Sequence, residues 1–167
     1  MPRPDSASFL PGYALQRGSE LDRVQLTRYM QRAYQELGAP AIAHLEQTVQ
    51  QHFCDRSPLW WALSDPAAPR VGFARAEQSP AGCLWLGTAV DQWTGSSQAY
   101  VLLLYVEPQH RRRGLATALM AAGQAWALEQ GHTSMGLQVF TSNLPAQQLY
   151  NKLGYSSQAL WMTKPLA

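Results

Sequence analysis

Arg111, Arg112 and Arg113 stand in a row and are followed directly by Gly114-Leu115-Ala116. Nowhere else does the chain place positive charge so densely. Val106-Glu107-Pro108 before them and an apolar helical repeat after them predict a strand, a basic turn and a helix N-terminus in succession. Unpaired N–H groups at a helix start, together with the helix dipole, favour an anion. Gly114 has no Cβ to hold the main chain away from that anion, and Ala116 has only a small side chain. Arginines beside the turn add charge and forked donors for phosphate oxygens. The turn lacks the Gly-Lys-Ser/Thr of nucleotide hydrolases and the three spaced glycines of the dinucleotide fingerprint. Turns of this composition also form for packing and solubility alone.

About thirty residues on come Leu137-Gln138-Val139-Phe140-Thr141-Ser142-Asn143 and then Leu149-Tyr150-Asn151-Lys152-Leu153-Gly154-Tyr155. This predicts a strand ending at an Asn that caps a helix, with Tyr150 two turns along it. Taken separately, Asn143 is a good N-cap and Tyr150 a core aromatic with a wet hydroxyl.

These groups need a frame. Residues 1–12, with Pro2, Pro4, Pro11 and Gly12, predict an irregular lead-in, and Tyr13 to Gln16 a short first strand. Apolar residues recur at helical spacing from Leu21 to Leu37, with Ser19 or Asp22 to cap the helix and Gly38 to stop it. A second helix is predicted over 40–53, with Ile42, Leu45, Val49 and Phe53 on one face. Leu59 to Leu63 and Val71 to Glu77 predict an antiparallel strand pair. From Gln78 to Ser97, Pro80, Gly82, Gly87 and Gly95 predict a long connection with room for one more short strand. Ala99 to Val106 is a continuous apolar run, expected of a strand buried on both faces. A helix over 115–130 stopped by Gly131, a strand over 134–140, a helix over 143–153 and a closing strand over 159–163 complete the order. The whole predicts one mixed α/β domain over 1–167.

At 167 residues the chain is long enough for a real core. A content of 46% hydrophobic and 14% charged residues argues against disorder. No apolar run approaches a membrane span, and Arg3 is not followed by the apolar region of a secretory signal. Cys54 and Cys83 have neither metal spacing nor a disulfide framework, and are expected to be reduced thiols of a cytosolic protein. A net charge of +2 is too small for a nucleic-acid surface.

Together the two motifs resemble the GNAT superfamily, the general-control-related N-acetyltransferases. The likeness lies in Arg/Gln-x-x-Gly-x-Gly/Ala at Arg111 to Ala116, preceded by Val-x-Pro at Val106 and Pro108. It continues with Asn143 and Leu-Tyr-x-x-Leu-Gly-Tyr/Phe at Leu149 to Tyr155, and so covers about 100–155. It implies an α/β (α+β) fold: a central mixed sheet, two N-terminal helices on one side, and a splayed parallel pair (99–106 and 134–140) that holds the acyl-CoA. Main-chain amides of Arg111, Arg112, Arg113, Gly114, Leu115 and Ala116 would hold the pyrophosphate of acetyl-CoA. Main-chain groups of Leu104, Tyr105 and Val106 would pair with the pantetheine arm, which Asn143 would touch. Tyr150 would protonate the departing thiolate; a phenol with pKa of about 10 keeps that proton at neutral pH. The implied activity moves acetyl to a primary amine of a small molecule or peptide, by direct attack in a ternary complex and without a metal. Many relatives form homodimers, and nothing in this sequence marks an interface.

An alkyl amine is neutral only about one time in a thousand at pH 7, so a general base would help. Several relatives carry Glu on the strand after the long helix, where this chain has Gln138, which orients a water but takes no proton. Glu77, Asp91, Glu107 and His110 are the other candidates, each expected to be an ordinary solvated loop group. A coenzyme-binding sensor without turnover is the alternative reading. A nucleic-acid module resting on the arginine triplet is a third, disfavoured by the low charge. The acceptor pocket is expected from 21–53 and 78–97, where Arg28, Tyr29, Arg32, Tyr34, Trp85 and Trp93 show no decisive charge.

Overall fold

The computed structural model describes residues 9–54, 56–64 and 79–166. The chain divides into two compact units, Met1–Leu137 and Gln138–Ala167. The first holds a five-stranded mixed sheet in the order β1-β2-β3-β4-β5. Its strands are β1 (Tyr13–Arg17), β2 (Leu59–Ser64), β3 (Gly82–Val90), β4 (Ser97–Val106) and β5 (Met135–Leu137). All neighbours are antiparallel except β4 and β5, which are parallel. The strand predicted over 71–77 lies outside the described residues.

Helices α1 (Arg23–Glu36) and α2 (His44–His52) cover one face of the sheet. Leu26, Tyr29 and Met30 of α1 recur one turn apart and pack with Leu45, Val49 and Phe53 onto Leu59, Trp61, Cys83, Trp85, Leu103 and Tyr105. On the other face lies α3 (Leu115–Glu129), where a Cβ on Gly123 would stand 2.7 Å from Leu84 and 3.3 Å from Leu86. Helix α1 starts later than its periodicity predicts. Leu21 and Val24 are exposed, and Glu20–Asp22 forms a 3-10 turn in which Asp22 accepts from the Ser19 N–H at 2.7 Å. Among the described residues no helix is long and apolar enough to cross a membrane.

Strand β3 corrects the expectation of a long connection. Its glycines mark close approach rather than turns: a Cβ on Gly82 would lie 2.6 Å from the Tyr105 carbonyl oxygen, and one on Gly87 2.9 Å from Leu102. The turn is confined to 91–96, where the Asp91 carboxylate accepts from the N–H groups of Trp93 and Thr94. Because the Gly82 contact is with main chain, Gly82→Ala is expected to lower stability by about 1–3 kcal/mol. A lower urea midpoint at constant m checks this.

The register of β3 on β4 slips where Trp85 faces Leu103 but Leu86 faces Val101, so Leu102 is a bulged residue without a partner. Pairing of β4 with β5 stops at Val101 and Leu137. Strand β5 is therefore three residues long rather than the predicted 134–140. In the second unit, α4 (Leu144–Lys152) forms as expected, with Pro145 in its first turn. The predicted closing strand over 159–163 does not form, and Leu160, Trp161 and Met162 are exposed. Strand-like composition makes a strand only where an edge pairs with it.

Candidate active site

Past the bulge, the open edge of β4 carries main-chain groups that β5 does not use. The Glu107 N–H donates to the Ala81 carbonyl on the β3 side at 2.9 Å. Alternation then turns the N–H and C=O of Val106 and Leu104 toward the opposite edge. Before the bulge, the Ala99 N–H serves that same edge by donating to the Ser134 carbonyl at 3.2 Å. The result is a short, shaped edge ready for another extended chain.

After β4, Pro108–His110 forms a 3-10 turn and the chain enters α3. Arg112 at φ 62° and Gly114 at φ 82° both lie in the left-handed region, and Gly114 is the N-cap of α3. From Arg112 through Thr117 no main-chain N–H donates to an acceptor among the described residues; the helical ladder begins with Ala118 donating to Gly114. These successive donors stand at the positive end of a long helix, a position whose dipole favours an anion. Gly114 is open to solvent: a Cβ there would meet only Leu10, at 4.0 Å. Arg112 and Arg113 are exposed and in no ion pair with described residues.

Arg111 behaves differently from its two neighbours. Its Nε donates to the Val106 carbonyl at 2.8 Å and its Nη2 to Glu36 at 2.5 Å. Its own N–H donates to the Pro108 carbonyl at 3.3 Å. The other Glu36 oxygen accepts from the Tyr105 hydroxyl at 2.7 Å. Burial works against the Glu36 carboxylate, but the hydrogen bonds from Arg111 and Tyr105 outweigh it and hold its carboxyl below the usual range. Burial, then the bond to Glu36, pushes the Tyr105 phenol up. Nothing in the sequence links Glu36 to this loop, because their meeting is a product of the fold.

One of the expected solvated groups is corrected. Glu107 is buried and ion-paired with Arg32. Asp91 is the loop acid expected, and there the Thr94 and Trp93 N–H groups that it accepts from hold its carboxyl below the usual range. His110 is half-buried, with Nδ1 hydrogen-bonded to the Tyr13 hydroxyl at 2.9 Å. It lines an open cleft of about 430 Å³ with Tyr13, Ser64 and Arg113. Glu77 lies outside the described residues. Of the aromatics considered for an acceptor pocket, Tyr29 and Trp85 are core residues, whereas Trp93 is almost fully exposed.

In the second unit, Asn143 caps α4 by accepting from the Ala146 N–H at 3.3 Å. The Tyr150 ring lies 5.7 Å from that of Tyr155. Burial first, and Tyr155 second, push the Tyr150 phenol up to about 12. Gln138 is exposed, one residue past the end of β5. Leu104, Tyr105, Val106 and the loop 111–116 are brought together at one end of the sheet. Asn143, Tyr150 and Gln138 belong to the second unit.

Comparison with known proteins bears on the family and the fold. The model of the acetyltransferase (GNAT) family matches residues 28–155. A mycothiol acetyltransferase of Clavibacter sepedonicus is 39% identical over 100 residues, covering 59% of this chain and 30% of that relative's length. An aminoglycoside acetyltransferase from an uncultured soil metagenomic sample superposes with a TM-score of 0.63 at 20% identity, over 93% of this chain and 99% of that one. The structure of AAC(6')-Iy with a bisubstrate analog, CoA-S-monomethyl-acetylneamine, gives 0.65 at 19% identity, over 92% and 99%. At such identities the two structures bear on the fold alone.

Proposed function

The chain belongs to the GNAT family of acetyltransferases, and from that membership we propose that it transfers acetyl from acetyl-CoA to a primary amine of a small molecule or peptide. The observation that carries the donor half is the run of unpaired N–H groups from Arg112 through Thr117 at the start of α3. It suits a pyrophosphate, with Arg112 and Arg113 adding charge and Leu115 and Ala116 adding amides. The open edge at Leu104 and Val106 suits the amides of a pantetheine arm, although Arg111 already takes the Val106 carbonyl. This leaves the Val106 N–H and both main-chain groups of Leu104 for the arm.

Acetyl-CoA, when bound, supplies an acyl group activated as a thioester. The chain's own part is to hold the arm in line, keep water away and place protons. The Tyr150 hydroxyl donates a proton to the departing thiolate, and its raised pKa keeps that proton in place. Asn143, held by its capping bond, keeps its amide donors for the arm. Gln138 orients a water near the amine. No carboxylate is assigned as base, since Glu107 and Asp91 are held by other partners.

Thermal unfolding with acetyl-CoA, and with ATP as a phosphate control, tests the donor site. Ligand at a hundred times its dissociation constant adds about 2.7 kcal/mol to the folded state. A shift with acetyl-CoA and none with ATP is expected; no shift at millimolar acetyl-CoA would overturn the reading. The occupied carboxylates favour a second reading, an acyl-CoA-binding protein without turnover. Binding without amine-dependent thiol release across a broad amine panel would select it.

A further inference from the structure

Arg32 and Glu36 are one helical turn apart on α1 and so share a face. Opposite them, Glu107 and Arg111 flank the 3-10 turn Pro108–His110. The charges cross: Arg32 pairs with Glu107, and Arg111 pairs with Glu36. Tyr105 ties the arrangement to the sheet, since its hydroxyl donates to Glu36 and its ring centroid lies 5.7 Å from the Arg111 guanidinium. Arg111 also reaches back to the Val106 carbonyl, so two of its guanidinium nitrogens donate inward.

Position in the chain gives this clamp its consequence. Arg111 is the last residue whose main-chain N–H is bonded before the run of open donors, and Ala118 is the first bonded one after it. Between them, Arg112 and Gly114 hold left-handed conformations. Arg112 is not a glycine, so its left-handed conformation is strained and persists only where its surroundings enforce it. The residue directly before it, Arg111, is anchored by its side chain to the Val106 carbonyl and to Glu36.

We propose that Arg111 is a strut rather than an anion ligand, and that Glu36 of α1 is the positioning residue that sets the donor loop by holding it. Arg112 and Arg113 are then the charges that face the ligand. This rests on the acetyl-CoA reading above and assigns different work to three consecutive arginines. It also makes α1 the element through which the helical face of the domain controls the donor loop.

The test is acetyl-CoA affinity measured by calorimetry across a series of salt concentrations. A charge that meets the ligand directly contributes to the salt dependence of binding, and a charge neutralised by its own partner contributes little. Arg113→Gln is expected to weaken binding and flatten the salt dependence. Arg111→Gln and Glu36→Gln are each expected to weaken binding about tenfold, and the double variant, which removes both charges of the pair, to keep the wild-type slope. The double variant should lose no more than either single one, because one interaction is removed in all three. Should Arg111→Gln fail to fold, Glu36→Gln carries the same comparison, since glutamine still accepts from Tyr105. A double variant that flattens the slope as Arg113→Gln does would overturn the strut alone, as would unaltered binding by Glu36→Gln. A wild-type protein that binds no acetyl-CoA would sink the donor site and the clamp together.

Discussion

Gly114→Glu is expected to raise the dissociation constant for acetyl-CoA by at least about a hundredfold and to remove its stabilisation of the fold. Two effects act together. At φ 82° a residue with a Cβ costs about 1–2 kcal/mol relative to glycine. The carboxylate would also stand among N–H groups that are arranged for an anion, and repel the ligand's own charge. The Cβ itself has room, with Leu10 4.0 Å away, so the ligand-free protein should keep its circular dichroism. Gly114→Ala carries the strain without the charge and should fall between wild type and Gly114→Glu. Wild-type affinity in Gly114→Glu would mean that the anion is not held at this turn.

Tyr150→Phe is expected to lower kcat by about two to three orders of magnitude with KM for acetyl-CoA unchanged, because a general acid acts only as the thiolate leaves. The pH dependence supplies a second check. A general acid works while protonated, so raising its pKa moves its loss of activity toward higher pH. With the phenol pushed up to about 12, no fall from this group is expected between about pH 8 and 10. Over that range kcat should instead rise as more of the amine becomes neutral, and then level. Steady-state rates with any accepted amine test both statements. An equal rate in Tyr150→Phe throughout would assign the proton to another donor.

The elements that carry the candidate site were legible because they are long and periodic, or punctuated by cap residues. Strand β4 holds an unbroken apolar run from Ala99 to Val106; α3 has glycines just outside both ends; α4 has Asn143, Pro145 and Gly154 where a short helix needs them. Strand β3 was hidden because two kinds of glycine look alike in a sequence. Gly95, at φ 73°, makes a turn, whereas Gly82 and Gly87 make room for Tyr105 and Leu102 in the neighbouring strand. The division of labour among the arginines was equally hidden. Glu36 lies far from Arg111 in the chain, and only the packing of α1 on the sheet brings its carboxylate to that guanidinium. Glu107 was misjudged for the same reason: its partner Arg32 sits on α1, and a residue that ends a strand looks like a loop charge.

The bulge at Leu102 gives β4 two halves of opposite parity. Odd-numbered residues address β5 before it, and even-numbered residues address that same edge after it. The stretch from the bulge to the donor loop therefore carries phase as well as length. Losing or gaining one residue there would turn the groups of Leu104 and Val106 inward against β3 and present those of their neighbours instead. Every side chain beyond the change would also exchange faces, sending Tyr105 away from Glu36. Losing or gaining two would shift the donor loop along the axis but keep both arrangements in phase. Length variation in this strand should thus be tolerated in pairs, a constraint on the whole segment that no single residue in it displays.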